Sequence, residues 1–458
     1  MRNSLKNNNA DRKDFLVGFI RPSYRFLVFM LFLAVSSLSC SPISTVIQPE
    51  VNGLVVAGKY HSALAAMEQA QENYGTNNRL LFDMDYALVL HYAGKYEQSA
   101  SVFDRAKRAY DELYTVSLSK EGATWLVNDN VAPYRGEDFE RVMINIFEAL
   151  DFAALGNFTE ALVEARDVDL KLRLINSQYK SEEENVYKED AFARFLMGIL
   201  YEAQGTAEGY NDAFIEYEKA VKIYENEFLP LYHVEMPDIL KQNMLAVAQF
   251  MGDKEFQKYQ QKWGKIPFLP LKERNEKAEV YLVHYAGLSP IKHQIELPIP
   301  LPGGYLAQLA FPVYEKRVSD EKQCFFRAVP QENLEYKHVL EKGEDIGAIA
   351  IKSLENRRAR VIAKAVLRSG AKYFLEREGE RIVERQSGQE ASRWFRYLSS
   401  LYNITSEQAD LRSWQTLPQT IEISRLLLEP GTYQLFLDNE SLGTVDLKAG
   451  EKKFIVRR

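Results

Sequence analysis

From residue 55 to residue 265 the apolar positions return every three or four residues, which predicts a run of helices. The same text recurs wherever one helix should end and the next begin. Gly58-Lys59-Tyr60 is followed by Ala63, Met67 and Ala70. Gly94-Lys95-Tyr96, 36 residues further on, is followed by Ser99, Phe103 and Ala106. Gly156-Asn157-Phe158 leads to Ala161, Ala165 and Val168, and a stretched version runs from Gly198 through Tyr201 and Gly205 to Tyr210, Ala213, Tyr217 and Ala220.

Each residue type has a task in such a text. The glycine ends the first helix in a left-handed turn. The aromatic two positions later plugs the gap between the paired helices, and the alanine lets the second helix approach closely. This spacing is that of tetratricopeptide-type (TPR) repeats, and it predicts four to five helical pairs stacked into a superhelix with a concave face. Residues 237–263 read as a last, degenerate pair. Residues 111–138 carry turn chemistry (Asn128-Asp129-Asn130, Pro133-Tyr134-Arg135-Gly136) and are expected to be a loop.

After Pro267 the period shortens. Val280–Tyr285, Lys292–Leu297, Tyr305–Tyr314 and Cys324–Val329 read as strands, the second ended by Pro298, Pro300 and Pro302. Residues 344–376 read as one helix. It carries Arg357, Arg360, Lys364 and Arg368 within about 80° of one face, either a solvated stripe paired with the chain's own carboxylates or a contact for an acidic partner or lipid headgroups. Ile421–Leu428, Thr432–Leu437, Leu442–Leu447 and Phe454–Arg457 read as a small β-sandwich-like module spanning 416–458. The fold class expected is therefore α+β and multidomain: helical repeats at 55–265, a mainly β, mixed region with one long helix at 278–415, and the terminal module.

The N-terminus reads as an address. Basic residues precede the apolar run Phe26–Val35, which is too short to span a bilayer comfortably, and small residues lead into Cys40. Residues 1–39 are expected to be a signal peptide and Cys40 the lipidated first residue of the mature chain, although Leu38 stands one position closer to it than usual in a lipobox. The alternative is an ordinary cleaved signal with Cys40 incidental. Residues 40–54 would then be a tether, and Ser41 after the cysteine points to the outer membrane. The chain carries a net charge of -7, and without residues 1–39 it carries 51 basic and 62 acidic residues, or -11. Such a body repels nucleic acid. Two cysteines exclude a disulfide framework, and Cys324, beside Phe325 and Phe326, is expected to be buried.

No catalytic or cofactor motif is present. The six histidines form no His-x-x-x-His pair, and there is no Cys-x-x-Cys, no P-loop and no Gly-x-Ser-x-Gly elbow. His284 and His293 could face each other on adjacent strands. The best polar constellation is Asp410, Arg412 and Trp414: either a carbohydrate or peptide contact, or a structural bridge that docks the terminal module.

Three stretches together resemble a family of bacterial TPR-containing lipoproteins for which no activity is established. They are Pro133-Tyr134-Arg135-Gly136 with Glu140-Arg141, Glu148-Ala149-Leu150, Leu155-Gly156 and Val163-Glu164-Ala165-Arg166; Glu189 to Phe195 through Gly198 to Tyr201-Glu202; and Asp410 to Trp414 with Leu417-Pro418. Genes of that family often neighbour a lipoprotein activator of penicillin-binding proteins, so the resemblance implies a part in peptidoglycan or envelope maintenance. The function expected is a lipid-anchored periplasmic adaptor on the outer membrane, holding envelope proteins or peptides in its concave groove. The alternative is an envelope glycan-binding module or enzyme within 278–458.

Overall fold

The structure is a computed structural model that describes residues 48–120, 132–177, 179, 185–318, 322–330 and 335–458. The expected signal peptide and Cys40 lie outside the described residues. The helical region consists of consecutive pairs: α1 (Gln48–Val56) with α2 (Tyr60–Tyr74), α3 (Arg79–Tyr92) with α4 (Tyr96–Lys120), α5 (Asp138–Ala154) with α6 (Phe158–Ser177), α7 (Ala191–Glu202) with α8 (Ala207–Ile223), and α9 (Asp238–Met251) with α10 (Asp253–Trp263). Two expected boundaries move. The tether is helical from Gln48, because Val51 and Val55 bury against the next pair. The expected loop at 111–138 is helix as far as Lys120, and its Asn128-Asp129-Asn130 lies outside the described residues.

The recurrent residues do what their types suggest. Gly58, Gly94, Gly156 and Gly205 take φ between 65° and 74° at the ends of first helices. Ala63, Ala106, Ala161, Ala213 and Ala220 are fully buried, as are Phe103 and Tyr217, while Tyr60, Tyr96 and Phe158 pack half-buried against the core. Gly198 differs from its expected place: it lies inside α7, and Gly205 makes the turn. A Cβ at 198 would sit 2.2 Å from the Tyr217 ring, so this glycine lets α8 lie against α7. Helix α8 runs on as a π-helix, Tyr224–Tyr232, which includes Pro230 and ends at left-handed His233. The short α11 (Leu271–Arg274) leads into the sheets.

The strands are β1 (Ala278–Ala286), β2 (Ile291–Leu301), β3 (Tyr305–Glu315), β4 (Phe325–Pro330), β5 (Tyr336–Val339), β6 (Glu341–Asp345), β7 (Thr420–Leu428), β8 (Gly431–Leu437), β9 (Glu440–Leu447) and β10 (Lys452–Arg457). One sheet has the order β10-β1-β7-β6, with β1 and β10 parallel; a second has the order β5-β4-β8-β9. A sandwich is thus present, but not as a module of residues 416–458. Its two sheets are built jointly from residues 278–345 and 420–457, because β7 and β10 flank β1 and β8 pairs with β4. Alternation along β1 shows why. Tyr281, Val283 and Tyr285 join the helical core, while Ala278, Val280 and Leu282 join a separate core with Phe326, Leu428 and Leu435. A strand apolar on both faces needs cover on both.

Strand β2 does not stop at its prolines. Pro298 and Pro300 pair with Gln308 and Leu306 of β3 in a two-stranded ribbon. They sit two apart, so their nitrogens face the same side of a strand that has one free edge, where proline is tolerated. The ribbon packs against α12 (Ile346–Ser387), which continues beyond the expected 376, and α13 (Gln389–Ser406), which turns back at Gly388. These two helices and the ribbon form an arm.

Candidate functional site

Residues Asp410 to Trp414 run through the seam between the helical pairs and the first sheet. Arg412 donates to both Asp410 oxygens at 2.9 and 2.7 Å, and to Asn78 Oδ1 and the Ala132 carbonyl at 3.1 and 2.9 Å. Trp414 is 1% exposed, with ring contacts to Phe103 and Phe147 at 6.0 and 5.9 Å. No face of this indole is open to a sugar ring, which corrects the ligand-contact expectation; Asp410, Arg412 and Trp414 are the structural bridge.

The acceptor for this bridge is prepared on α5. Gly136, at φ 71°, turns the chain so that Glu137 caps the helix, and Glu140 returns to the Glu137 N–H at 2.8 Å as a capping box. Glu140 also accepts from the Tyr134 hydroxyl at 2.6 Å and from the Trp414 N–H at 2.7 Å. Burial, with Glu137 nearby, pushes the Glu140 carboxyl up to about 7. Burial would raise Glu137 too, but Arg357 and Lys292 hold it well below the usual range. The basic stripe is therefore turned largely inward: Arg357 pairs with Glu137, Arg368 with Glu407 at 3.0 Å, and Arg360 stacks over Tyr179 at 4.8 Å.

A second bolt joins α3, α5 and β1. His91 Nδ1 lies 2.6 Å from Asp151 Oδ1, and His91 Nε2 lies 2.8 Å from the Tyr285 hydroxyl. With Nδ1–H given to the carboxylate, Nε2 accepts the tyrosine proton. Burial raises the Asp151 carboxyl and His91 draws it back down. The order Asp-His-hydroxyl is that of a nucleophile relay. All three side chains are enclosed, however, so no substrate reaches them.

Further along, Arg274 donates to Glu202 at 2.6 Å and Glu279 at 2.7 Å, and Lys452 of β10 donates to Glu202 at 2.9 Å. Arg425 of β7 donates to Gln242 of α9 at 2.7 Å. Asp190 caps α7, accepting from the Ala193 N–H at 2.7 Å and from Tyr187, and lies beside buried Glu344, which burial and the Asp190 charge push well above the usual carboxyl range. The first helices α3, α5, α7 and α9 thus all turn toward the sheet β10-β1-β7-β6. That face of the helical pairs is covered by the chain's own strands.

The remaining expectations sort quickly. His284 pairs with Glu422 of β7 at 3.0 Å and His293 with Glu315 of β3 at 3.0 Å; they do not face each other, because β1 and β2 lie in different sheets. Cys324 is half-buried rather than buried, and burial with Asp438 nearby pushes its thiol up to about 11, which lowers its thiolate fraction. Among the described residues no group of three or more His, Cys, Asp or Glu could hold a metal, and no helix is long and apolar enough to cross a membrane. An open cleft of about 400 Å³ is lined by Tyr86, Leu90, Glu97, Gln98, Ser101 and Val102.

Large apolar side chains also stay accessible. On α6, Val163, Leu170 and Leu174 are exposed at spacings of seven and four, a narrow seam on the outer layer. On the arm, Leu367, Phe374, Leu375, Trp394 and Tyr397 each keep between 63% and 68% of their surface exposed. Trp394, Tyr397, Leu398 and Leu401 fall at i, i+3, i+4 and i+7, a helical stripe that was readable in the sequence and would have identified α13. No protein-family model matches the chain, and no curated protein matches it.

Proposed function

We propose that the chain is a lipid-anchored scaffold of a bacterial cell envelope, held through Cys40 on the periplasmic face of the outer membrane. Its helical pairs are TPR-type repeats, supported by the left-handed glycines and the buried alanines after them. It binds envelope proteins, in the service of peptidoglycan or envelope maintenance. The observation that carries the scaffold reading is that the polar constellations described in the seam fasten one half of the chain to the other, while apolar side chains on α6 and the arm stay exposed.

The first-helix face lines the groove in TPR arrays, and here the sheet takes it. Partner binding therefore falls to the outer helices, where Val163, Leu170 and Leu174 of α6 offer a seam for one partner helix. The test is photo-crosslinking in the native envelope from position 170 or 174, with position 56 on α1 as the exposed control. Crosslinks from α6 to one or two envelope proteins, lost when Cys40→Ala mislocalises the chain, are expected. An anchored protein giving no protein crosslink from either α6 position would overturn the adaptor reading.

A further inference from the structure

We infer that the junction of α1, α2, the β1–β2 turn and the end of β10 is a binding site for a phosphate group, with Arg317 and Arg458 as its donors. This goes beyond the scaffold reading and does not depend on it. Strand register brings the two arginines together. Glu315 of β3 pairs with Ile291 of β2, so the chain two residues on carries Arg317 to Ser289. Arg457 of β10 pairs with His284 of β1, so the next residue lies beside Tyr285 and reaches Gly287. Arg317 donates to the Ser289 and Gln415 carbonyls, and Arg458 donates to the Gly287 carbonyl at 2.8 Å. Two guanidinium planes are thereby fixed on acceptors two residues apart in one turn.

Carbonyls orient a guanidinium but carry no charge to cancel its own. Neither arginine forms an ion pair among the described residues. Burial, with the Arg458 charge beside it, pushes Arg317 down to about 10. Asp85 is the carboxyl that acts on Arg317, and it is already engaged: it accepts from the Thr416 hydroxyl at 2.7 Å and from the Gln48 amide at 3.4 Å. One guanidinium fork matches both oxygens of a carboxylate; two forks call for the three oxygens of a phosphate.

Enclosed polar atoms of this cluster lack protein partners. Arg458 Nη1 has no acceptor, and Gln48 Oε1 and Asn52 Oδ1 of α1 have no donor, although these two residues are only 2% and 8% exposed. Asn52 joins the cluster by donating to Gln415 Oε1 at 3.2 Å, and Gln48 joins it through Asp85. Buried donors and acceptors left over in one place point to a polar occupant. Phosphate oxygens suit the arginine hydrogens, and a phosphate hydroxyl supplies the kind of donor that the amides lack. The Tyr92 ring floors the cluster, 5.0 Å from the Arg458 guanidinium carbon, and Tyr60 packs on it with ring centroids 6.0 Å apart. Tyr60, Arg317, Gln415 and Arg458 each keep part of their surface open, which gives a small anion access that the His91 relay does not have.

The experiment titrates the intact chain, in a neutral detergent at about pH 8, with inorganic phosphate in a calorimeter. Sodium chloride of equal ionic strength and acetate serve as controls. Phosphate binding and a raised melting temperature are expected, and Arg317→Gln and Arg458→Gln should each weaken binding about tenfold. Because Arg317→Gln also removes two ties to the turn, the unaltered chain supplies a second measurement. Phosphate should slow the modification of Arg317 and Arg458 by phenylglyoxal, mapped by mass spectrometry, and leave that of exposed Arg108 unchanged. No binding beyond the chloride control, acetate bound as tightly as phosphate, or no protection of either arginine overturns the inference. Competition separates the two sources of such a group. Micelles carrying phosphatidic acid that displace free phosphate support a lipid headgroup as the ligand; micelles that do not displace it support a soluble phosphate at the same site.

Discussion

The backbone N–H of Trp414 donates to the Glu140 carboxylate across 274 residues of chain, at 2.7 Å. That single acceptor also holds Tyr134 and the start of α5, so its protonation state bears on both halves of the molecule.

The carboxyl of Glu140 sits at about 7 in the folded chain and near 4.5 when unfolded. Between those values the folded state holds a proton that the unfolded state has released. Stability therefore falls as pH rises through this window, by at most about 1.4 kcal/mol per pH unit. Asp85, pushed up to about 6 by burial, acts in the same direction. Glu140→Gln should flatten the slope of urea-unfolding free energy between pH 5 and pH 7, taken as approximate endpoints; an unchanged slope would mean that Glu140 is charged in the fold.

His91, Asp151 and Tyr285 form a closed chain of hydrogen bonds. His91→Phe and Tyr285→Phe should each destabilise by about 2–3 kcal/mol, and the double variant by less than their sum. Strict additivity in denaturant titrations would show that the contact contributes nothing.

Arg274 is fully enclosed between Glu202 and Glu279. Arg274→Met leaves buried Glu202 and Glu279 to share Lys452 as their cation and should cost about 3–5 kcal/mol. Adding Glu202→Gln to it should recover part of that loss, measured as a partial return of the unfolding midpoint.

Gly198→Ala drives a methyl into the Tyr217 ring, and about 1–3 kcal/mol should be lost. At Gly58 the added methyl meets nothing within 4 Å, so Gly58→Ala should cost only about 1–2 kcal/mol of left-handed strain. Equal losses at the two sites would mean that α7 and α8 can part at little expense.

The turns between paired helices were legible because the signals are local: glycine fixes the turn and the alanine after it fixes the spacing. Most strands of the sandwich were legible one by one for the same reason, but the short, polar β5 and β6 (Tyr336–Val339 and Glu341–Asp345) were not. The partners of the legible strands were not, since nothing in Ile421–Leu428 says that it lies beside Ala278–Ala286. The same gap turned Trp414 into a possible sugar platform. An indole next to Arg and Asp reads as a binding site until Phe103 and Phe147, over 260 residues upstream, are seen to enclose it. The sequence motifs around Tyr134, Glu140, Glu202 and Trp414 proved to be the fastenings of the seam.

Strand β1 takes β10 as its parallel neighbour, Glu279 and Lys452 being 173 residues apart. Loop closure over that length is slow, whereas helical hairpins form from near neighbours. During synthesis the pairs would stand complete with the inner sides of α3, α5, α7 and α9 bare, waiting for a strand not yet made. A nascent chain stalled before residue 278 would display one long sticky face, and one stalled before residue 452 would still leave the part along α5 bare. Concealment from chaperones and proteases thus comes in stages, with β10 closing the last of that face.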